Sequence, residues 1–167
     1  MARPTWDEYY MSVVGAIALR ATCDRGKSGA LIVRDNRIIS SGYVGSPKGQ
    51  DHCDDVGHKM ITVVTAPGCI KKWSDFETEY TRISAHCIRT VHAEMNAICN
   101  AALHGASTVG SVMYCTMVPC YICAKSIVQC GIIRVLAKYR YQDMDETVDL
   151  FKDCGVELEI INNKEIY

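Results

Sequence analysis

The chain has 167 residues, with 18 Lys and Arg set against 19 Asp and Glu for a formal net charge of -1, a size that suits one domain and leaves no room for a second. That balance lacks the strong positive field with which a protein grips long nucleic acid, whereas a small anionic substrate needs only a local basic pocket. The opening run Met1-Ala2-Arg3-Pro4-Thr5-Trp6-Asp7-Glu8-Tyr9-Tyr10 has no apolar signal core, and no apolar run approaches the roughly 18 residues of a membrane span, so a cytoplasmic location without membrane contact is expected.

Tyr9, Tyr10, Val13, Val14, Ile17 and Leu19 recur at helical spacing and predict an amphipathic helix over 6–21, with Thr5 as its cap and Asp7 in its first turn. Two β-rich runs follow, Gly29 to Val33 and Arg37 to Gly42, joined by the turn pair Asp35-Asn36; they read as a hairpin. Residues 43–90 lack sustained periodicity and hold glycines, prolines and most of the histidines, so they read as an irregular insertion in a single domain over 1–167, and loops of that length are usually functional or held by something. Regular alternation then resumes: helices over 91–103, 120–130 and 145–154, and strands over 112–115, 134–137 and 156–160. Strand and helix alternate, which predicts an α/β fold with a sheet covered by helices on both faces.

Ten cysteines in so short a chain suggest a disulfide framework only for secreted domains too small to build a core, so metal ligation is the better reading. Cys99, Cys115, Cys130 and Cys154 sit in apolar-periodic segments and are expected to be plain core thiols.

The chemistry-bearing pattern is His92-Ala93-Glu94 at the start of one predicted helix and Pro119-Cys120-Tyr121-Ile122-Cys123 at the start of another. H-x-E followed by P-C-x-x-C is the signature of zinc nucleobase deaminases. Two cysteines three positions apart at a helix start can aim both sulfurs at one point, where the helix N-terminus and a metal favour thiolates. With His92 they make three protein ligands for Zn2+, leaving the fourth tetrahedral position to water, as catalytic rather than structural sites do. Glu94 is too near His92 in sequence to be a fourth ligand, yet it can reach that water from the same helical turn. It is the expected general base and acid.

The segments Cys87-Ile88-Arg89-Thr90-Val91-His92-Ala93-Glu94, Gly42-Tyr43-Val44-Gly45-Ser46-Pro47-Lys48-Gly49 and Pro119 to Lys125 together resemble the deoxycytidylate (dCMP) deaminases, and the resemblance runs from the first helix to the last strand. It implies a three-layer α/β/α cytidine-deaminase-like fold around a mixed sheet of about five strands, with dCMP as substrate. It also implies a homo-oligomer, usually a hexamer, activated by dCTP and inhibited by dTTP, with Mg2+ accompanying a bound triphosphate. Gly42, Tyr43, Gly45 and Gly49 correspond to the glycine-rich loop associated with that allostery. The family's loop commonly reads Gly-Tyr-Asn-Gly, and this chain departs from it at Val44.

Around the pocket, Arg25, Lys27 and Arg89 lie in segments expected to border the site and to offer cations for the substrate phosphate; Ala93 falls among the substrate contacts. Tyr141 matches a tyrosine that follows the fourth strand in relatives, with Tyr139 competing for the role. Cys23 and Cys53 match positions that hold a second, structural zinc in many relatives, and His58 and Cys87 complete a four-ligand set, with His86 as the alternate. Such a site would order an insertion that has few apolar residues of its own. Two rival readings stay open: a deaminase acting on a base in RNA or DNA, without a stable nucleic-acid partner expected at this charge, and a zinc-stabilised module that binds nucleotides without turnover.

Overall fold

Thr5 opens the first helix, α1 (Trp6–Ala18), through a reciprocal capping box: the Glu8 N–H donates to its Oγ1 (3.2 Å), and its own N–H donates to Glu8 Oε2 (2.7 Å). The helix ends three residues before the expected 21, because Arg20 and Ala21 bond to carbonyls three residues back and tighten into a turn. That turn delivers Cys23 to the interior. The computed structural model describes residues 2–65, 82–141 and 144–165, of which 62–65, 82–86 and 165 by backbone alone.

The predicted hairpin is present as β1 (Gly29–Arg34) and β2 (Arg37–Tyr43), antiparallel, with Asp35 and Asn36 at φ 51° and 56°. Both turn residues thus take the left-handed conformation that Asp and Asn tolerate best and that matches strand twist. Within the stretch read as irregular lie a short helix, α2 (Cys53–Val56), and an antiparallel two-stranded ladder of β3 (Met60–Thr65) and β4 (Arg82–Cys87), separate from the main sheet. The rest alternates as expected: α3 (Ala93–Leu103), β5 (Val112–Met117), α4 (Tyr121–Gln129), β6 (Arg134–Arg140), α5 (Asp145–Asp153) and β7 (Glu157–Glu165).

The main sheet has the order β2-β1-β5-β6-β7. β1 runs antiparallel to β2 and β5, while β5, β6 and β7 are parallel, joined by α4 and α5 as crossover helices. Strand β1 alternates between two cores. Ala30 and Ile32 join Ala97 of α3, Ile127 of α4 and Phe151 of α5 on one face; Leu31 and Val33 join Tyr10, Met11 and Val14 of α1 on the other. This is the expected three-layer α/β/α arrangement on a mixed five-stranded sheet. Among the described residues no helix is long and apolar enough to cross a membrane.

Gly42 sits at the closest approach of strand and helix: a Cβ there would lie 2.3 Å from the Ala93 carbonyl and 2.4 Å from the Ala97 nitrogen. Three side-chain hydrogen bonds fasten the same contact, from Ser40 to the Ala97 carbonyl (2.7 Å), Asn96 to that of Tyr43 (2.7 Å) and Asn100 to that of Ser41 (2.9 Å). Gly42, expected in the second strand, lies in β2, and Tyr43, grouped with the glycine-rich loop in the sequence, is the last residue of that strand. Of the four expected core thiols Cys115 is buried, but Cys99 and Cys154 are exposed and Cys130 is partly so; every described cysteine is free. The two exposed ones fall on the outer sides of α3 and of the turn ending α5, where helical position rather than composition decides burial.

Candidate active site and a second donor cluster

His92 is the N-cap residue of α3 and Cys120 that of α4, both in extended backbone just before the helix begins. The Thr147 hydroxyl, fully buried, donates to the Pro119 carbonyl (3.1 Å) and holds the Pro-Cys turn against α5. These supports bring the three predicted donors together: His92 Nδ1 lies 3.4 Å from Cys120 Sγ and 3.5 Å from Cys123 Sγ. Tetrahedral zinc, with bonds of about 2.3 Å to sulfur and about 2.0 Å to nitrogen, sets sulfur and nitrogen ligands about 3.6 Å apart. The donor set and its spacing fit zinc.

The local electrostatics agree with a cation. The hydrogen bond to Cys120 raises His92 to about 9, while bonds from Cys123 and His92 hold Cys120 down at about 4, which favours at Cys120 the thiolate form that ligates a metal. Cys123 is pushed up, first by its bond to Cys120 and then by burial. Glu94, 6 % exposed on the first turn of α3, is raised by burial, which the nearby His92 partly offsets. Burial thus favours the protonated carboxyl, which suits a group that accepts a proton in the reaction.

A cavity of about 140 Å³ opens beside this cluster, at the carboxyl ends of the parallel strands. His92, Ala93, Glu94 and Cys120 line it, as do Arg25, Gly26 and Ser28, with Val44, Thr90, Met117, Val118 and Tyr141 completing the wall. Of the expected substrate contacts, Arg25, Ala93 and Tyr141 are in the lining. Lys27, which is exposed, and Arg89, whose Nε is buried without a hydrogen bond, are not among the lining residues. Tyr139 is absent from the lining as well. Ser28, Thr90, Met117 and Val118 were not anticipated; Thr90 had a signal in directly preceding Val91-His92, whereas Met117 and Val118 read as ordinary strand residues. Of the expected allosteric-loop residues, Gly45 pairs with Val91 through two main-chain bonds (3.2 and 2.9 Å) and Gly49 turns at φ 87°.

The four residues named for a second site also converge. Cys23 Sγ lies 3.6 Å from His58 Nδ1 and Cys53 Sγ 3.6 Å from Cys87 Sγ, all four donor atoms within 4.8 Å of one another. Desolvation raises Cys87, but N–H donation from Arg89 and Lys59 outweighs it and leaves the thiol at about 7; Cys53 is pushed up by burial to about 12. Four donors close a tetrahedron with no position for water, and the set fits zinc as the first does. The side chain of the alternate, His86, lies outside the described residues. Cys23 and Cys87 also line the cavity, so this cluster forms part of its wall.

Fold and site together define a three-layer α/β/α protein carrying an H-x-E and P-C-x-x-C metal centre. The family model for the cytidine and deoxycytidylate deaminase zinc-binding region matches residues 4–138, and the chain belongs to that family. It is 38% identical over 166 residues to ComE operon protein 2 of Bacillus subtilis (strain 168), covering 99% of this chain and 76% of that one. It is 37% identical over 136 residues to the deoxycytidylate deaminase of Mycobacterium phage D29, covering 81% of this chain and 96% of that one. Among solved structures, the dCMP deaminase of cyanophage S-TIM5 in complex with dCMP and dUMP superposes with a TM-score of 0.69 at 27% identity, over 96% of this chain and 99% of that one.

Proposed function

We propose that this chain is a zinc-dependent enzyme that hydrolyses dCMP to dUMP and ammonia. The observation that carries the reading is the three-donor cluster of His92, Cys120 and Cys123 with the buried Glu94, in the wall of a cavity. Zinc, when bound by these three, supplies the Lewis acidity that makes water nucleophilic near neutral pH. Glu94 would take one proton from the attacking water and pass it to ring N3 as the oxygen adds to C4. It would then carry the second proton to the exocyclic nitrogen, which would leave as ammonia while C4 becomes the uracil carbonyl. Arg25, at the cavity wall, is the partner for the 5′-phosphate, and Tyr141 packs against the base.

The similarity to deoxycytidylate deaminases favours a nucleotide over a polymer substrate, as does the net charge of -1. Cys23, Cys53, His58 and Cys87 hold a second, structural zinc. Regulation by dCTP as activator and dTTP as inhibitor with Mg2+, a hexameric assembly, one deaminase domain over the whole chain and a cytoplasmic location rest on the family resemblance. The test is ammonia release from dCMP, CMP, dCTP, deoxycytidine and cytosine, each with and without added dCTP or dTTP. Turnover of dCMP with little from the nucleoside and free base is expected; inactivity on dCMP with the first zinc in place would end the reading.

A further inference from the structure

Pro119 stands immediately before the donor Cys120, is fully buried, and has no N–H, so its carbonyl is the only main-chain group it can hydrogen-bond. The Thr147 hydroxyl donates to that carbonyl (3.1 Å) from the first turn of α5, and Thr147 is itself 0% exposed. With both groups buried, water is no substitute partner for either. The backbone at Cys120 is thus held from two sides. Its own carbonyl accepts the Ala124 N–H as α4 begins, while the residue before it is tied to α5, a helix that supplies none of the metal donors. One residue further back, the Val118 N–H donates to the Tyr139 carbonyl of β6 (3.0 Å), and Val118 packs with Met144, the N-cap residue of α5.

We propose that Thr147 is a positioning residue for the zinc ligand Cys120, holding its Sγ where His92 and Cys123 can share one metal. The inference rests on reading those three residues as a zinc centre, and not on which nucleotide the enzyme takes. Cys120 Sγ lies 3.4 Å from His92 Nδ1, close to the separation that tetrahedral zinc sets between sulfur and nitrogen. Without the hydroxyl, the buried Pro119 carbonyl still needs a donor, and the turn must shift to find one. That shift moves Cys120 off a spacing the metal otherwise finds ready-made. Groups that orient metal ligands in this way are worth about 10- to 100-fold in metal affinity.

Thr147→Val keeps the shape of the side chain and removes the hydroxyl. The measurement is competition with a chelator, using cobalt in place of zinc. The His92 cluster gives the metal two thiolates and the Cys23 cluster three, so their sulfur-to-cobalt absorption bands differ in intensity and are followed separately. Affinity at the His92 cluster should fall by about 10- to 100-fold in Thr147→Val, with the Cys23 cluster unchanged. Thr147→Ser, which keeps the hydroxyl, should bind as the wild type does. Leu150→Ala, which loosens the packing of the same helix against the core, should do so too. Thr147→Ala serves the same comparison should the valine variant not fold. Wild-type affinity in the variant without the hydroxyl overturns the proposal, as does an equal loss in Leu150→Ala, which would trace the effect to general loosening of α5. A wild type that binds no metal at the His92 cluster overturns the inference together with the reading beneath it, whereas one that binds metal there and leaves dCMP intact ends only the substrate reading.

Discussion

Asp24 Oδ1 lies 2.9 Å from His58 Nε2, while the other ring nitrogen of His58 faces Cys23 Sγ at 3.6 Å. A carboxylate in that place favours the tautomer with its proton on Nε2 and so leaves Nδ1 to act as a ligand, the outer-sphere arrangement common to metal-binding imidazoles. Asp24→Asn should therefore weaken zinc at the second cluster by about 10- to 100-fold and leave the His92 cluster loaded. Competition with a chelator, read as zinc per chain, checks this. Two zincs retained as tightly as in the wild type would remove Asp24 from the role, and one zinc in the wild type would remove the second site.

Glu94→Gln preserves shape and burial but cannot carry a proton. Turnover of dCMP should drop by at least about 10²- to 10⁴-fold, the usual contribution of general acid–base catalysis, with zinc content unchanged because His92, Cys120 and Cys123 are untouched. Ammonia release and metal analysis on the same sample give both readings. A variant within a few-fold of the wild type would mean that another group moves the protons.

The donor cluster was legible because the H-x-E and P-C-x-x-C segments each begin a helix whose periodicity and cap position are local properties, and α3 and α4 start beside the residues expected. The hairpin turn at Asp35-Asn36 was legible for the same reason. The β3–β4 ladder was not: Met60 pairs with Cys87 and Thr65 with Arg82 across a long intervening segment, and such pairing leaves no periodic mark in either strand. Asp24 carried a faint signal, a carboxylate adjoining a candidate ligand, whose meaning depends on where His58 arrives in space.

The contact under Gly42 predicts a coupling between packing and catalysis. Gly42→Ala forces its new methyl into the main chain of Ala93 and Ala97, so α3 must move away from β2 and carry His92 and Glu94 with it. A loss of about 1–3 kcal/mol in stability should accompany a fall in kcat. Gly15→Ala on α1 is the control: nothing lies within 4 Å of the added carbon, and the exchange should stabilise the helix by about 0.5–1 kcal/mol. Chemical denaturation and steady-state kinetics on both variants separate the two effects, and full activity in Gly42→Ala would show that α3 holds its place without the close approach.

Arg134 ties α1 to the parallel half of the sheet, with Nη1 and Nη2 donating to the two oxygens of Asp7 (3.1 and 3.0 Å) and Nη2 also to Glu159 (2.7 Å); the Tyr114 hydroxyl donates to Asp7 as well (2.6 Å). The bond from Arg134 outweighs burial and holds the Asp7 carboxyl below its ordinary 3.8. A depressed carboxylate stabilises the fold fully above its unfolded pKa, and that contribution is lost as pH falls through the lower folded value. Asp7 is 39% exposed, so solvent screening limits the effect, and Asp7→Asn should cost about 1 kcal/mol near neutrality. Urea unfolding at neutral pH and at successively lower pH should show the gap between wild type and variant constant above 3.8 and shrinking below it. A gap that stays constant as the pH falls well below that value would assign the cost to packing rather than to the ionised carboxylate.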